Sequence, residues 1–251
     1  MSKDLQKTNK SNLNKPKTGK LDLLNINTSA LNASLNDLAI PRLFYQLVVF
    51  VLDGSGSMTY PGMSGKSKGE EVENAIRLVI NRLFNSKNKS SFDLSMWAYA
   101  NESVQMLQTT PVVSFDLNKN IDPCSFIQKY DGTNLVSTLN SVKVECQNYL
   151  RQNKDKNAQA LVVVLSDGAL DEYEHSLMLC KEINAINNVT VSSIFYESKV
   201  WQENYIVRDM EVLKKDMENL ASNSSLFTST LDPEEIRKHM IKSISTVSKI
   251  D

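Results

Sequence analysis

Two stretches of this chain, Gln46 to Leu52 and Ala160 to Ser166, are apolar nearly throughout, and each runs straight into an aspartate and a glycine. Asp53-Gly54 follows the first and Asp167-Gly168 the second. A short unbroken apolar run of this kind is a strand buried on both faces, the condition met in a parallel sheet covered by helices. A sheet with one wet face would show polar residues at every second position, and these two runs do not.

The rest of the pattern alternates strands with helices. Val72, Ala75, Ile76, Val79 and Leu83 recur at steps of three and four, one apolar helical stripe after a polar loop from Asp53 to Lys68. Phe92, Leu94, Met96 and Ala98 alternate with Asp93, Ser95 and Trp97 at strand period, and Val104 to Leu107 reads as an edge strand beside them. Asp131-Gly132-Thr133 is expected to open a helix running to about Leu150. Helix over Glu174 to Asn187, strand over Val189 to Tyr196, helix over Tyr205 to Ser222 and a short edge strand at Leu226 to Thr228 follow. In the last helix Asp232 is the expected cap, Pro233 suits the first turn and Glu235 would complete a capping box. Ile236, Met240, Ile244 and Val247 supply its core-facing stripe. The implied architecture is α/β and Rossmann-like: a mostly parallel sheet of about six strands with one antiparallel edge, flanked by helices on both faces.

One such domain is expected over residues 41–251, preceded by a polar arm over residues 1–40. Met1 to Lys20 is rich in Lys, Asn, Ser and Thr and has almost nothing to bury. Leu21 to Ile40 carries recurring leucines and isoleucines, which suit either a strap across the domain or a segment that folds on a partner. The formal net charge of −1 removes any global electrostatic case for nucleic acid. No apolar run approaches the roughly 20 residues of a membrane helix, and the polar N-terminus lacks the core of a secretory signal. Cys124, Cys146 and Cys180 are far apart and odd in number, which suits free thiols in a reducing compartment. The expected location is therefore the cytoplasm.

With only eight glycines in the chain, Asp53-Gly54-Ser55-Gly56-Ser57-Met58 stands out. In an open α/β sheet, ligands bind beyond the carboxyl ends of the strands where strand order reverses. Two buried strand ends brought side by side there would place Asp53 and Asp167 in one crevice. Ser55 and Ser57, two apart on a glycine loop, can aim both hydroxyls into it, and Thr133 after a glycine offers a third. Every donor in this set is an oxygen, and so few carboxylates favour Mg²⁺ over Ca²⁺ or a softer metal, with Mn²⁺ and Ca²⁺ as substitutes.

The order and spacing of Asp53-x-Ser55-x-Ser57, Thr133 and Asp167 resemble the metal-ion-dependent adhesion site of von Willebrand factor A domains, over roughly Leu43 to Ser248. The resemblance implies direct metal contact from the two serines. It also implies alternating direct and water-mediated contact from Thr133 and Asp167, and an indirect role for Asp53. A partner's Asp or Glu would complete the coordination. Small intracellular members of the family, including tellurite-resistance and MoxR-associated kinds, act as adaptors for AAA+ ATPases or beside kinase and phosphatase subunits in stress and defence systems. The resemblance thus implies a non-enzymatic, protein-binding adaptor. Gly54, Met58, Tyr60, Met63, Lys66, Gly132, Gly168 and Asp171 are the expected partner-facing residues around the ion.

Other readings of the same residues are weaker. Gly65-Lys66-Ser67 resembles the tail of a phosphate-binding loop, but the pattern requires a glycine where Tyr60 stands. A phosphatase of the haloacid dehalogenase type needs a second acid two residues after the nucleophilic aspartate. That position is Ser55, and no lysine for the transferring phosphoryl group is evident. A structural subunit whose metal only braces the fold is the remaining alternative. His175, near Asp171, Glu172 and Glu174, reads as a surface residue on an acidic helix start, with those acids complementing the helix dipole. Trp97, Tyr99 and Trp201 read as packing residues.

Overall fold

In the computed structural model the described residues are 42, 44–197 and 210–248. The expected arm over residues 1–40, Trp201 and the start of the helix expected from Tyr205 lie outside them. The described elements are β1 (Tyr45–Asp53), α1 (Lys68–Phe84), β2 (Phe92–Tyr99), β3 (Ser103–Pro111), α2 (Val136–Gln152) and β4 (Ala158–Ser166). They continue with α3 (Tyr173–Asn184), β5 (Val189–Tyr196), α4 (Met210–Leu220), β6 (Phe227–Thr230) and α5 (Pro233–Val247).

The sheet has six strands in the order β3-β2-β1-β4-β5-β6, with only β2 and β3 antiparallel. Strand β1 therefore lies between β2 and β4, where the winding reverses, and the carboxyl ends of β1 and β4 face the same crevice. Period two divides the apolar run of β1 between two cores. Val48, Phe50 and Leu52 pack with Val72, Ile76 and Val79 of α1 and with Ile236, Met240 and Ile244 of α5. Leu47, Val49 and Val51 pack with Leu139 and Val142 of α2, Leu179 and Ile183 of α3, and Met217 and Leu220 of α4. The mixed alternation of β2 does not mark a wet face. Asp93 and Ser95 are both buried, because Arg42 and Tyr149 satisfy the first and the Leu107 carbonyl accepts from the second.

Several helix boundaries differ from the sequence expectation for local reasons. Helix α2 begins at Val136, not at Asp131. Gly132 sits at φ +88° and Asn134 pairs in a bridge with Asp171, so the chain is still irregular there, and the Asn134 side chain then accepts from Val136 N–H. Helix α3 stops at Asn184, two residues before the Ile186–Asn188 turn into β5 in which Asn188 adopts φ +64°. In α5, Asp232 does cap, but it accepts from Glu234 N–H, and Glu235 pairs with Lys238 instead of closing a capping box. A complete capping box is present at α1, where Ser67 and Glu70 satisfy one another's backbone N–H groups.

Candidate metal centre

The residues singled out at the two strand ends meet. Asp53, the last residue of β1, is fully buried, and both of its carboxylate oxygens are engaged. Oδ1 accepts from Ser55 N–H at 2.8 Å and Oδ2 from the Ser166 hydroxyl at 2.7 Å. Asp53 thus shapes the Gly54–Ser57 turn and clamps β1 to the end of β4. Gly54 N–H adds a bond to the Tyr99 carbonyl of β2 at 2.8 Å, and the Tyr99 hydroxyl reaches back to the Leu165 carbonyl at 3.0 Å. A Cβ on Gly54 would stand 2.7 Å from Ile127 Cγ1, so the turn needs glycine for close approach.

Around this frame the side-chain oxygens converge. Ser55 Oγ and Ser57 Oγ lie 3.1 Å apart, and Ser57 Oγ donates to Asp167 Oδ1 at 2.6 Å. Adjacent ligands on an octahedral ion with bonds of about 2.1 Å stand roughly 3 Å apart. The spacing of Ser55, Ser57 and Asp167 therefore suits a small hard cation. Burial, with the negative charge of Asp167 beside it, pushes the Asp53 carboxyl up to about 7 against the bonds from Ser55 and Ser166. A carboxylate held this way gains from a nearby positive charge. Among the described residues no three His, Cys, Asp or Glu side chains gather into a group that could hold a metal ion.

A cation already stands at the site. Lys68, the first residue of α1, is wholly buried, and its ammonium contacts Asp167 Oδ2. Sequence reasoning missed it, and the objection to phosphoryl transfer that rested on the lack of a lysine falls with it. The objection from Ser55, which cannot serve as the acid, stands. The signal was in the sequence: Ser67-x-x-Glu70 is a capping-box pattern that makes Lys68 the first helical residue beside the loop. Ser166 was also overlooked as the residue that holds Asp53.

Among the described residues Thr133 makes no hydrogen bond to Ser55, Ser57 or Asp167, and its backbone is tied instead to the stretch after β4. Its N–H donates to Asp171 Oδ2 at 2.7 Å and its carbonyl accepts from Asp171 N–H at 3.1 Å. Asp171 therefore organises the Thr133 loop, and helix-dipole complementarity is not the account of it. Glu172, at φ +51° before α3, binds Asn134 and His175 at the surface.

The expected partner-facing residues divide. Tyr60 and Met63 are 51% and 55% exposed, and Lys66, Gly132 and Asp171 are also exposed. Gly168 is partly exposed and would tolerate a Cβ without contact. Met58 and Gly54 are corrected: both are buried, Met58 completely, because Met58 turns inward to the core above α1 and Gly54 lies under Ile127 and Pro123. The Tyr60–Lys68 loop is closed by bonds from Gly62 N–H to the Lys66 carbonyl and from Lys68 N–H to the Tyr60 carbonyl. Buried Glu71 accepts from Met63 N–H at 3.2 Å and from the Tyr196 hydroxyl, tying that loop to α1 and β5.

Comparison with known proteins gives the same family. Residues 48–237 match the model of the von Willebrand factor type A domain. No curated protein sequence matches. Among solved structures, the open form of the SpaC pilus adhesin from Lactobacillus rhamnosus GG is similar with a TM-score of 0.63 at 9% identity, over 81% of this chain and 30% of the adhesin. This chain thus spans under a third of that protein. The conserved hypothetical protein BatB from Bacteroides thetaiotaomicron is similar over 81% of this chain and 99% of its own, with a TM-score of 0.57 and 16% identity. Proximal thread matrix protein 1 from the mussel byssus, with a zinc-occupied metal-ion-dependent adhesion motif, gives 0.52 at 15% identity over 81% of this chain and 46% of that one. The sheet order, the paired strand ends and the family match together make this chain a member of the von Willebrand factor type A domain family.

Proposed function

We propose that this chain is a divalent-cation-dependent protein-recognition module in which a partner's Asp or Glu completes the coordination of an ion held by Ser55, Ser57, Thr133 and Asp167. The observation that carries the reading is the convergence of the Ser55, Ser57 and Asp167 oxygens at 3.1 and 2.6 Å beyond the ends of β1 and β4. Mg²⁺ suits the oxygen-only, hydroxyl-rich set, and when bound it supplies an electrophilic position for a carboxylate. The motif of the mussel protein accepts zinc, so Zn²⁺ joins Mn²⁺ and Ca²⁺ as an ion to compare.

Each residue has a separate task in this reading. Asp53 holds the loop through Ser55 N–H and ties it to Ser166, which leaves it an indirect contributor. Ser55 and Ser57 present neutral oxygens, so the ion keeps most of its charge for the partner. Asp171 fixes the Thr133 loop. Tyr60, Met63 and Lys66 form an exposed rim that would select among partners. Von Willebrand factor A domains are generally interaction modules rather than enzymes, and Ser55 at the general-acid position agrees with that here. A cytoplasmic adaptor beside an AAA+ ATPase or a kinase and phosphatase pair is the system that the resemblance to small intracellular members supports.

Metal that merely braces the fold is less well supported. Both oxygens of Asp53 and both of Asp167 already have protein donors, so the loops are held by hydrogen bonds and by Lys68. The test is affinity capture from source cells with Mg²⁺, with EDTA and with Ser57→Ala, the bound proteins being identified by mass spectrometry. A partner retained only by the unaltered chain in Mg²⁺ supports metal-bridged recognition. An identical set in all three conditions overturns it.

A further inference from the structure

The Lys68 side chain is placed with unusual care for a lysine. The capping box of Ser67 and Glu70 fixes the start of α1, and Lys68 N–H is anchored on the Tyr60 carbonyl at 3.0 Å. From there the ammonium reaches Asp167 Oδ2, at 0% exposure for both side chains. Burying an ammonium costs several kcal/mol unless a partner compensates it, so this pair is a specific arrangement and not an incidental surface contact. The same carboxylate takes the Ser57 hydroxyl on its other oxygen, so both of its oxygens are engaged.

Beside Lys68 lies a cavity of about 40 Å³, lined by Pro61, Gly62, Met63, Tyr196, Glu197 and Leu231. A space of that size admits an ammonium group, whose bulk is close to that of a water molecule. Glu197 on its wall carries a carboxylate that already accepts from the Ser229 hydroxyl at 2.6 Å and pairs with Lys214 at 3.2 Å. Lys68 thus contacts one carboxylate, Asp167, and lines a cavity whose wall includes a second, Glu197.

We infer that Lys68 is a tethered cation that competes with the divalent ion for Asp167, so that ion binding is an exchange in which the lysine ammonium moves off the carboxylate into the cavity beside Glu197. The inference rests on the reading of Asp167 as a metal ligand. Lys68 holds Oδ2 while Oδ1 faces Ser57 and Ser55. An ion taken up at Oδ1 would share the carboxylate with the ammonium, and the two like charges would repel across it, each binding at the other's expense. The lysine therefore sets the affinity for the ion and keeps the loops in order at low ion concentration.

The first experiment measures Mn²⁺ binding by electron paramagnetic resonance and calorimetry on the full chain, unaltered and as Lys68→Met, which keeps the apolar stem and removes the charge. The expected result is an affinity at least tenfold higher for the variant. An affinity within twofold of the unaltered chain, or lower, overturns the exchange while leaving the metal site standing. Absence of Mn²⁺ binding in both chains overturns the metal reading and the exchange together. Because Lys68→Met leaves Asp53 and Asp167 without a counter-charge and can fail to fold, the unaltered chain is also labelled with an amine-reactive reagent with and without Mg²⁺. Faster modification of Lys68 in Mg²⁺, read by mass spectrometry, supports the exchange. An unchanged or slower rate overturns it.

Discussion

Thr133 and Asp171 clasp one another through two hydrogen bonds: Asp171 Oδ2 accepts from Thr133 N–H at 2.7 Å, and the Thr133 carbonyl accepts from Asp171 N–H at 3.1 Å. This clasp joins the loop before α2 to the loop that leaves β4 four residues after Asp167. A Cβ at Gly132 would stand 2.8 Å from the same Asp171 oxygen, so the glycine lets the clasp close. The backbone that carries the third hydroxyl of the proposed site is thus held by Asp171.

Asp171→Ala should therefore weaken Mn²⁺ binding without unfolding the protein. Loss of one charge-assisted hydrogen bond is worth about 1–3 kcal/mol in a protected setting, and less where, as here, the carboxylate is exposed. The expected change is a loss of about threefold to tenfold in Mn²⁺ affinity with the thermal midpoint nearly unchanged. An affinity equal to that of the unaltered chain would show that the Thr133 loop is positioned without the clasp.

Gly54 and Gly168 follow the two site aspartates and look equivalent in sequence, yet they should respond in opposite ways to alanine. A Cβ on Gly54 meets Ile127 Cγ1 at 2.7 Å and the Pro123 carbonyl oxygen at 3.0 Å, whereas nothing lies within 4 Å of one on Gly168. Overpacking of that kind costs about 1–3 kcal/mol. Urea unfolding of Gly54→Ala should show a midpoint well below that of the unaltered chain, with Gly168→Ala within error of it. Equal midpoints for the two variants would contradict the packing around Gly54.

A second buried carboxylate is held far from the site. Asp93 accepts from both terminal nitrogens of Arg42, at 2.8 and 3.1 Å, and from the Tyr149 hydroxyl at 2.7 Å. Tyr149→Phe removes a hydrogen bond to a charged group and is expected to cost about 1.5–3 kcal/mol. Chemical denaturation reads this directly, and a loss under 0.5 kcal/mol would mean that Arg42 alone satisfies Asp93.

How much of this was legible in the chain follows from which interactions are local. The apolar runs of β1 and β4 announced buried parallel strands because an unbroken apolar run shows by itself that both faces of the strand are covered. Asp53, Ser55, Ser57 and Asp167 could be named because two strand ends and one turn place them. Lys68 was hidden, since its contact with Asp167 spans 99 residues of sequence and a lysine on a helix start is ordinarily solvated. The burial of the polar residues of β2 was equally hidden: Asp93 finds its partners only when Arg42 and Tyr149, 51 and 56 residues away, are brought against it. The start of α2 was misread because a clasp from Asp171, not the local Gly132-Thr133 pattern, decides where the helix begins.

The last prediction concerns His239, buried in α5. Its Nε2 lies 2.9 Å from Ser192 Oγ and 3.2 Å from the Leu226 carbonyl, and Ser192 also meets Ser243 at 3.0 Å. Burial, with a smaller contribution from the positive charge of Lys242, lowers its pKa from 6.5 to about 4, against the bond to the Leu226 carbonyl. The imidazole is therefore neutral in the folded chain and takes up a proton more readily once unfolded. Its contribution to stability is fully present above pH 6.5 and is lost as pH falls from there towards 4, reaching a loss of about 3 kcal/mol. Asp53, raised to about 7, acts with the opposite sign in the same window, because the folded state takes up that proton first. The informative quantity is therefore the difference between the unaltered chain and His239→Gln, from urea midpoints at pH 7.5, 6 and 5. That difference should shift steadily in favour of the variant as pH falls. A difference that stays constant across the three pH values would show that His239 titrates alike in both states, and that Ser192 and the Leu226 carbonyl do not hold it neutral.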